Sequence, residues 1–115
     1  MNENMLKNEI GKKYDAGKLR MDLLPLDAIE EVVKVLTFGA SKYGDWNWSK
    51  GMSWSRLFGA AMRHLWAFWK GEVYDKESKI NHLAHCSCCI LFLLHYSIYK
   101  SGIDDRPIHE KINIK

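Results

Sequence analysis

The chain has few cysteines, and their arrangement argues against disulfide bonds. Of its 115 residues three are cysteines, namely Cys86, Cys88 and Cys89. An odd number in one short stretch is not a disulfide framework, and such cysteines usually pack as small apolar side chains. The first ten residues, MNENMLKNEI, are too polar for a signal peptide. We therefore expect a reducing, cytoplasmic environment.

The chain also lacks a block of one charge. Its formal net charge is +3, and the lysines and arginines are scattered along the sequence. This argues against binding to duplex nucleic acid, which needs a concentrated basic patch. A small anionic ligand suits the charge balance better.

No apolar run is long enough to make a membrane span convincing. The best candidate, residues 83–99, is interrupted by His85, His95 and two serines. Its strictly apolar part falls short of the ~20 residues that a spanning helix needs. We expect this segment to be a helix at the centre of a bundle.

Alternation with period two is missing as well, and the sequence contains no internal repeat, so a β-sheet has little support. Helix signals are present instead. Pro25 stands where a first helix would begin, Gly39 where it would end, and Ser53 is a candidate N-cap for a second helix that Gly71 closes. The predicted helices cover about 27–39, 54–70 and 82–100.

These signals predict one all-α domain over 1–115, a compact bundle of about three main helices with two long functional loops. Residues 1–20 are expected to form an irregular arm, 21–101 the helical core and 102–115 a tail that is frayed or extended. The second helix carries a predicted apolar stripe: Trp54, Phe58, Ala61, Leu65 and Phe68.

The loop before the third helix holds a candidate metal site. Glu72, Asp75 and Glu77 precede His82 and His85, which lie three residues apart and so share a helix face. Mixed carboxylate and imidazole ligands suit a divalent ion, Mg²⁺ or Mn²⁺ above all. The alternative is that the acids are solvated and the histidines pack in the core. A zinc site that includes Cys86 and Cys89, which share the histidine face, is also open.

Several basic side chains are candidates for anion binding. Arg63 lies on a mostly apolar helix and needs an anionic partner, either a protein carboxylate or a phosphate. The segment GKKYDAGK does not match a P-loop, since its glycine spacing is wrong and no Ser or Thr follows Lys18. Lys18, Arg20 and Asp22 could still contact phosphates, or they could belong to an exposed arm.

Four motifs occur in order along the chain: YDAGKLRMDLLP, FGASKYGDWNW, RHLWAFWKGEVYDKES and HLAH. Together they resemble the bacteriophage dATP/dGTP diphosphohydrolase family, which is related in proposed fold and activity to the MazG-like all-α NTP pyrophosphatases. The resemblance covers roughly residues 14–94. Lys79 and Asn81 stand where the family commonly has Gly and Pro. The MazG-like relatives hold metals with ExxE and ExxD motifs, which this chain replaces with RHLW and HLAH. Either the metal site is rebuilt from histidines and loop acids, or activity is weak or absent.

The resemblance implies a metal-dependent enzyme that hydrolyses dATP and dGTP to the monophosphate and pyrophosphate. Its expected location is the cytoplasm, which is that of the host if the chain is phage-encoded. We also expect a homo-oligomer, because five tryptophans are many for a short chain and some could lie at an interface. The expected catalytic residues are Glu72, Asp75 and Glu77, and the expected metal ligands are the same three with His82 and His85. The expected substrate-binding residues are Lys18, Arg20, Lys42, Tyr43, Asn47, Trp48, Arg63 and His64, with Trp46 as a further stacking candidate. Two alternatives remain: a protein that sequesters nucleotide without cleaving it, and a phage protein that inhibits a host factor.

Overall fold

The computed structural model describes residues 10–107. Three helices dominate: α1 (Leu26–Tyr43), α2 (Trp54–Trp69) and α3 (His82–Tyr99). Short 3₁₀ turns cover Met21–Leu23 and Asn47–Lys50. Residues 10–107 contain no strand, and the predicted all-α bundle is confirmed. Residues 1–9 of the predicted arm and 108–115 of the predicted tail lie outside the described residues.

Helix α3 is the central element, because both α1 and α2 pack against it. On one side Val32 of α1 is buried with Ala84 and Cys88. On another side Leu57 of α2 is buried with Tyr96. By length and hydropathy alone α3 could cross a membrane, but a third of it is buried against the other helices. This position agrees with the predicted role as the central helix of the bundle.

Helices α2 and α3 run antiparallel. The indole of Trp54, at the start of α2, packs with Tyr96 near the end of α3 and donates a hydrogen bond to the carbonyl of Ser101. Further along α2, the His64 ring contacts the rings of His82 and His85 at the start of α3. The loop over 70–81, called the acidic loop below, closes this end of the pair.

Helix α1 continues past its predicted end. Gly39 lies inside the helix, and Gly44, with φ of 98°, is the C-cap residue whose N–H bonds to the carbonyl of Ala40. A single glycine costs a helix only about 1 kcal/mol, so the neighbouring residues carry the helix through it. The prediction that Gly39 ends the helix was wrong. Lys42 and Tyr43 consequently lie on the last turn of α1 rather than in a loop.

The apolar stripe predicted for α2 was also partly wrong. Phe58 is 60% exposed and Leu65 is 43% exposed. The buried positions are Trp54, Leu57 and Ala61. A helix that is apolar on more than one side does not reveal by its spacing which side faces the core.

The first part of the predicted tail is extended and packs on the start of α2. Ile103 pairs with Ser53 as a parallel bridge, and its carbonyl accepts a hydrogen bond from the N–H of Trp54. The carboxylate of Asp105 accepts bonds from both the N–H and the hydroxyl of Ser55. Ile103 and Asp105 thus attach the first part of the predicted tail to the start of α2, and whether the tail as a whole is frayed or extended stays a prediction.

Candidate metal and nucleotide site

The acidic loop folds back on itself and thereby fixes the start of α3. Tyr74 and Asn81 form an antiparallel bridge, and the N–H of Asp75 bonds to the carbonyl of Ile80 at 2.9 Å. The side chain of Asn81 accepts a hydrogen bond from the N–H of Leu83 and so caps the helix. His82, the first residue of α3, is thus held against α2.

Two histidines face each other at the centre of the site. The Nδ1 atoms of His64 and His82 are 2.8 Å apart. On its other side His82 contacts Glu72, with 2.7 Å between Nε2 and Oε1. Because a carboxylate accepts hydrogen bonds, Nε2 of His82 is the donor and carries the hydrogen. Glu72 therefore fixes the tautomer that leaves Nδ1 of His82 with its lone pair directed at His64.

Asp75 completes a group of three possible ligands. One ligand atom from each of His64, Asp75 and His82 lies within 4.8 Å of the others. One carboxylate oxygen of Asp75 accepts a hydrogen bond from the N–H of Ser78 at 2.8 Å. Partial burial raises the pKa of Asp75, but the bonds from Ser78 outweigh it and the net pKa lies below the usual value. This carboxylate is therefore ionised and available to a cation.

The site keeps its histidines in the form that a metal requires. Burial lowers the pKa of His64 to about 4, with a further contribution from the neighbouring His85 and His82. Burial also lowers the pKa of His85. At neutral pH both rings are uncharged, and a neutral imidazole is the form that ligates metals.

His85 lies beside the three-ligand group. Its Nε2 atom is 2.6 Å from the hydroxyl of Ser78, and its ring stacks on that of His64 with 4.5 Å between centroids. Phe38 of α1 packs edge-on against the His85 ring. His85, held by Ser78 and Phe38, therefore fixes the orientation of the His64 ring. It supports the group of His64, Asp75 and His82 without belonging to it.

The two glutamates of the predicted ligand set have other partners. Glu72 is bonded to His82, and this bond lowers the pKa of the Glu72 carboxyl. Glu77 pairs with Lys42 of α1, with 2.9 Å between Oε2 and Nζ. Of the five predicted ligands, the structure groups Asp75 and His82 directly with His64.

These residues fit a divalent transition-metal ion. Two imidazole nitrogens and one carboxylate form a set that leaves coordination positions open. A carboxylate that binds the far nitrogen of a ligating histidine, as Glu72 does, is the usual second layer of such sites. Mg²⁺ prefers oxygen ligands alone, so of the two expected ions this donor set favours Mn²⁺.

The cysteines do not join the group. Cys86 and Cys88 are buried, and burial raises the pKa of Cys88 to about 12 and that of Cys89 to about 11. Such thiols stay protonated and do not ligate a metal readily. Within residues 10–107 no thiol belongs to the cluster of possible metal ligands.

Arg63 and Lys42 are the two predicted phosphate contacts next to the cluster, since Arg63 adjoins His64 in the chain and Lys42 pairs with Glu77 of the acidic loop. Arg63 is exposed beside His64, and among the described residues no carboxylate lies within ion-pair distance of it. The described residues thus show no carboxylate partner for Arg63, and its binding of a phosphate stays a prediction. Lys42 lies above the rings of Phe38 and Tyr43, 5.9 Å and 5.3 Å from their centroids.

The predicted stacking residues differ in how available they are. The Trp48 ring stacks on Phe92 at 4.9 Å, and Asn47 starts the short 3₁₀ turn beside it. Trp46 is 70% exposed and Tyr43 is 61% exposed. Trp46 has φ of 62°, which is uncommon for a bulky residue. Tyr43 and Trp46 are thus the more exposed of the predicted stacking rings.

The predicted phosphate contacts on the arm lie apart in sequence from this site. Lys18 and Arg20 are exposed. Arg20 forms two hydrogen bonds of 2.8 Å with Asp22, and this pair raises the pKa of the arginine. Their role in substrate binding stays a prediction.

His64 was predicted from sequence to contact the substrate rather than the metal. Its spacing from the buried Leu57 and Ala61 is seven and three residues, which places it on the buried side of α2. This spacing, together with the two histidines expected at the start of the next helix, was the signal that the sequence offered for His64.

Comparisons with known proteins agree with the motif resemblance. The chain matches the family described as "dATP/dGTP diphosphohydrolase, N-terminal" over residues 8–106. It is 34% identical over 96 residues to a protein of Salmonella phage PMBT28 named dATP/dGTP diphosphohydrolase. The match covers 84% of this chain and 33% of the relative, so the chain spans about a third of the relative's length. No solved structure matches, and the relation to MazG-like enzymes stays a prediction.

Proposed function

The chain belongs to the dATP/dGTP diphosphohydrolase family, whose N-terminal region it matches over residues 8–106. We propose that it hydrolyses dATP and dGTP to the monophosphate and pyrophosphate with the help of a divalent ion. The observation that carries the proposal is the cluster of His64, Asp75 and His82 with Glu72 behind it. The relative from Salmonella phage PMBT28 bears the name of this activity.

The proposed ion is held by Nδ1 of His82, a nitrogen of His64 and the Asp75 carboxylate. When bound, such an ion neutralises charge on phosphate oxygens and lowers the pKa of a coordinated water. Glu72 keeps the hydrogen of His82 on Nε2 and so keeps Nδ1 free for the ion. Ser78 holds Asp75 through its N–H and His85 through its hydroxyl, which fixes both side chains around the cluster.

Glu77 is the proposed group that orients the attacking water. Its carboxylate is 62% exposed and is held in place by Lys42. Since Glu72 is occupied by His82 and Asp75 by Ser78, Glu77 is the acid of the loop with most freedom to accept a hydrogen bond from water.

Arg63 and Lys42 are the proposed phosphate contacts. Arg63 is exposed one residue from a cluster histidine and has no carboxylate partner in the described part of the chain. Lys42 reaches the acidic loop from α1 and is 40% exposed, so it can contact Glu77 and a phosphate together. A guanidinium binds phosphate oxygens with two parallel hydrogen bonds, which positions the substrate as well as attracting it.

The proposed base contact is Tyr43, with Trp46 as a second aromatic surface. Tyr43 adjoins Lys42, and Lys42 in turn lies over Phe38, which touches His85. A purine stacked on Tyr43 therefore has its phosphates on the side of the histidine cluster.

The deciding experiment measures pyrophosphate release from each of the four dNTPs with Mn²⁺, with Mg²⁺ and with EDTA. We expect release from dATP and dGTP, dependent on the ion and faster with Mn²⁺. Binding of dATP or dGTP without release under any condition would identify a nucleotide-sequestering protein. Release of inorganic phosphate alone would contradict the proposed bond cleavage.

A further inference from the structure

Lys42 connects α1 to the acidic loop through an ion pair. Its Nζ atom is 2.9 Å from Oε2 of Glu77. The hydrogen bond with Glu77 raises the pKa of Lys42, and a hydrogen bond with Tyr43 adds to this effect. The ammonium group lies 5.3 Å from the centroid of the Tyr43 ring. Lys42 thus contacts both the acid proposed to orient the attacking water and the ring proposed to stack on the base.

Glu77 lies close to the histidine cluster. It directly precedes Ser78, whose hydroxyl is 2.6 Å from Nε2 of His85 and whose N–H donates a hydrogen bond to Asp75. Burial lowers the pKa of His85, and the charges of Asp75 and Glu77 oppose this effect. The charge of Glu77 therefore acts on the cluster even though its carboxylate is paired with Lys42.

The ion pair occupies two groups that the proposed reaction needs. One oxygen of Glu77 accepts a hydrogen bond from Lys42, which leaves this carboxylate less capacity to bind a water. The positive charge of Lys42 is partly neutralised in turn. Lys42 is 40% exposed and Glu77 62% exposed, and ion pairs this exposed are weak. A triphosphate carries several negative charges, so it attracts the lysine more strongly than one carboxylate does.

On the basis of the function proposed above, we propose that Lys42 is exchanged between Glu77 and the substrate. In the free protein Lys42 pairs with Glu77, and when a nucleotide binds it turns to the phosphates and releases Glu77 to orient the water. An ammonium group has three donors on a flexible four-carbon chain, so Lys42 contacts both anions during the exchange. Lys42 is then a positioning residue as well as a phosphate contact, because it acts on the water through Glu77.

Binding of an uncleavable nucleotide tests the exchange without turnover. The probe is dGTP with a methylene group between the α- and β-phosphates, titrated in the presence of Mn²⁺ by calorimetry. Glu77→Gln removes the competitor for Lys42 and should tighten binding of the probe about 2- to 5-fold, the range expected for the loss of an exposed ion pair. Glu31→Gln is the matched control, since Glu31 pairs with Lys34 on α1 in the same way, and it should leave binding unchanged.

The gain from Glu77→Gln should depend on Lys42. In a Lys42→Gln background the probe should bind more weakly than to the parent, and adding Glu77→Gln should bring no gain. Such a cycle isolates the coupling between the two side chains. An equal gain with and without Lys42 would show that Glu77 merely repels the phosphates, and it would overturn the exchange.

Steady-state kinetics with dGTP gives a second readout, because the two substitutions should change KM in opposite directions. Glu77→Gln should lower kcat about 100-fold or more and also lower KM, whereas Lys42→Gln should act mainly by raising KM. A higher KM in Glu77→Gln, or equal losses of kcat in the two variants, would contradict the exchange.

The parent protein separates the two proposals. If the parent neither binds the probe nor releases pyrophosphate from dGTP, the proposed function and the exchange fail together. If the parent is active and Glu77→Gln binds the probe no more tightly, the exchange alone is overturned.

Discussion

The two ends of the α2–α3 pair are built from different interactions. At one end Tyr96 is fully buried, packs with Trp54 and Leu57, and donates its hydroxyl hydrogen to the carbonyl of Trp48. At the other end His64 and His82 bond to each other through their rings, and Glu72 bonds to His82. The first end is aromatic and closed, and the second is polar and partly open.

The aromatic end contributes mainly to the stability of the fold, and the histidine end contributes mainly to binding. Burying aromatic rings stabilises the fold in proportion to the apolar area removed from water. Burying an imidazole carries a cost, which is visible in the pKa of His64 lowered to about 4. A polar cluster kept at such a cost, in a cleft between two helices, is a candidate for function. Substitutions at the histidine end should therefore mainly lower activity, and substitutions at the aromatic end should mainly lower stability.

The largest effect on activity is expected from His82→Ala. It removes one proposed ligand and leaves Glu72 without its partner. Ion-dependent pyrophosphate release should fall at least about 1000-fold, the equivalent of several kcal/mol of lost charge stabilisation. The rise in melting temperature with Mn²⁺ should vanish too. His95→Ala is the control, because His95 lies at the aromatic end of the same helix against Trp48. Equal losses in both variants would contradict the separation.

Tyr96→Ala should instead have the largest effect on folding. Truncating this fully buried ring should lower the free energy of unfolding by about 3–5 kcal/mol. The additional stabilisation by Mn²⁺ should persist, since no cluster residue is touched. Urea denaturation with and without the ion measures both quantities, with the 70% exposed Tyr99 replaced by Ala as control. If Tyr96→Ala does not fold, Tyr96→Phe tests the hydroxyl alone, and its loss should cost about 1 kcal/mol.

Glu72→Gln should lower the affinity for the ion and leave the stability of the fold nearly unchanged. Loss of the carboxylate behind a ligating histidine typically reduces metal affinity 10- to 100-fold, about 1.4–2.8 kcal/mol. Glu77→Gln is the matched control, because Glu77 pairs with Lys42 and not with a histidine. Titration calorimetry with Mn²⁺ compares the two. A larger loss of Mn²⁺ affinity in Glu77→Gln than in Glu72→Gln would indicate that Glu77 is a metal ligand, as predicted from sequence.

The histidine end should also make the ion-free protein sensitive to acid. Because burial lowers the pKa of His64 from 6.5 to about 4, the unfolded chain takes up a proton at pH values where the folded chain does not. The free energy of unfolding should therefore decrease as the pH falls from 6.5 to 4. His64→Gln should flatten this decrease, whereas His95→Gln should not. The urea midpoint of the three proteins, measured in steps between pH 7 and 4, tests this. An equally steep decrease in His64→Gln and in the parent would contradict it.

The smallest effect concerns the backbone of the acidic loop. Lys79 has φ of 66°, a left-handed conformation that glycine adopts without a steric penalty. Lys79→Gly should stabilise the protein by up to about 1 kcal/mol and leave ion binding unchanged. Lys76→Gly, in the same loop but without a positive φ, should bring no gain. A destabilised Lys79→Gly would mean that the lysine side chain contributes more than its backbone costs.

Several features of the fold follow from short stretches of sequence. Pro25 sets the start of α1, Asn81 precedes α3, and the run from His82 to Tyr99 was recognisable as one helix. These signals are local, since they depend on one residue's dihedral angles or on a single cap. The end of α1 at Gly44 was missed because a glycine inside a helix and a glycine at its end look alike in sequence.

The sequence by itself determined the all-α class, the central position of α3, and Asp75 and His82 as members of a polar site. It also carried the family, through motifs spread over most of the chain. The tertiary structure decided that His64 joins them and that Glu72 binds His82. It decided as well which stripe of α2 faces the core. The reason is physical: spacing along a helix fixes which residues share a side, but only the packing of α2 against α3 fixes which side meets the other helix.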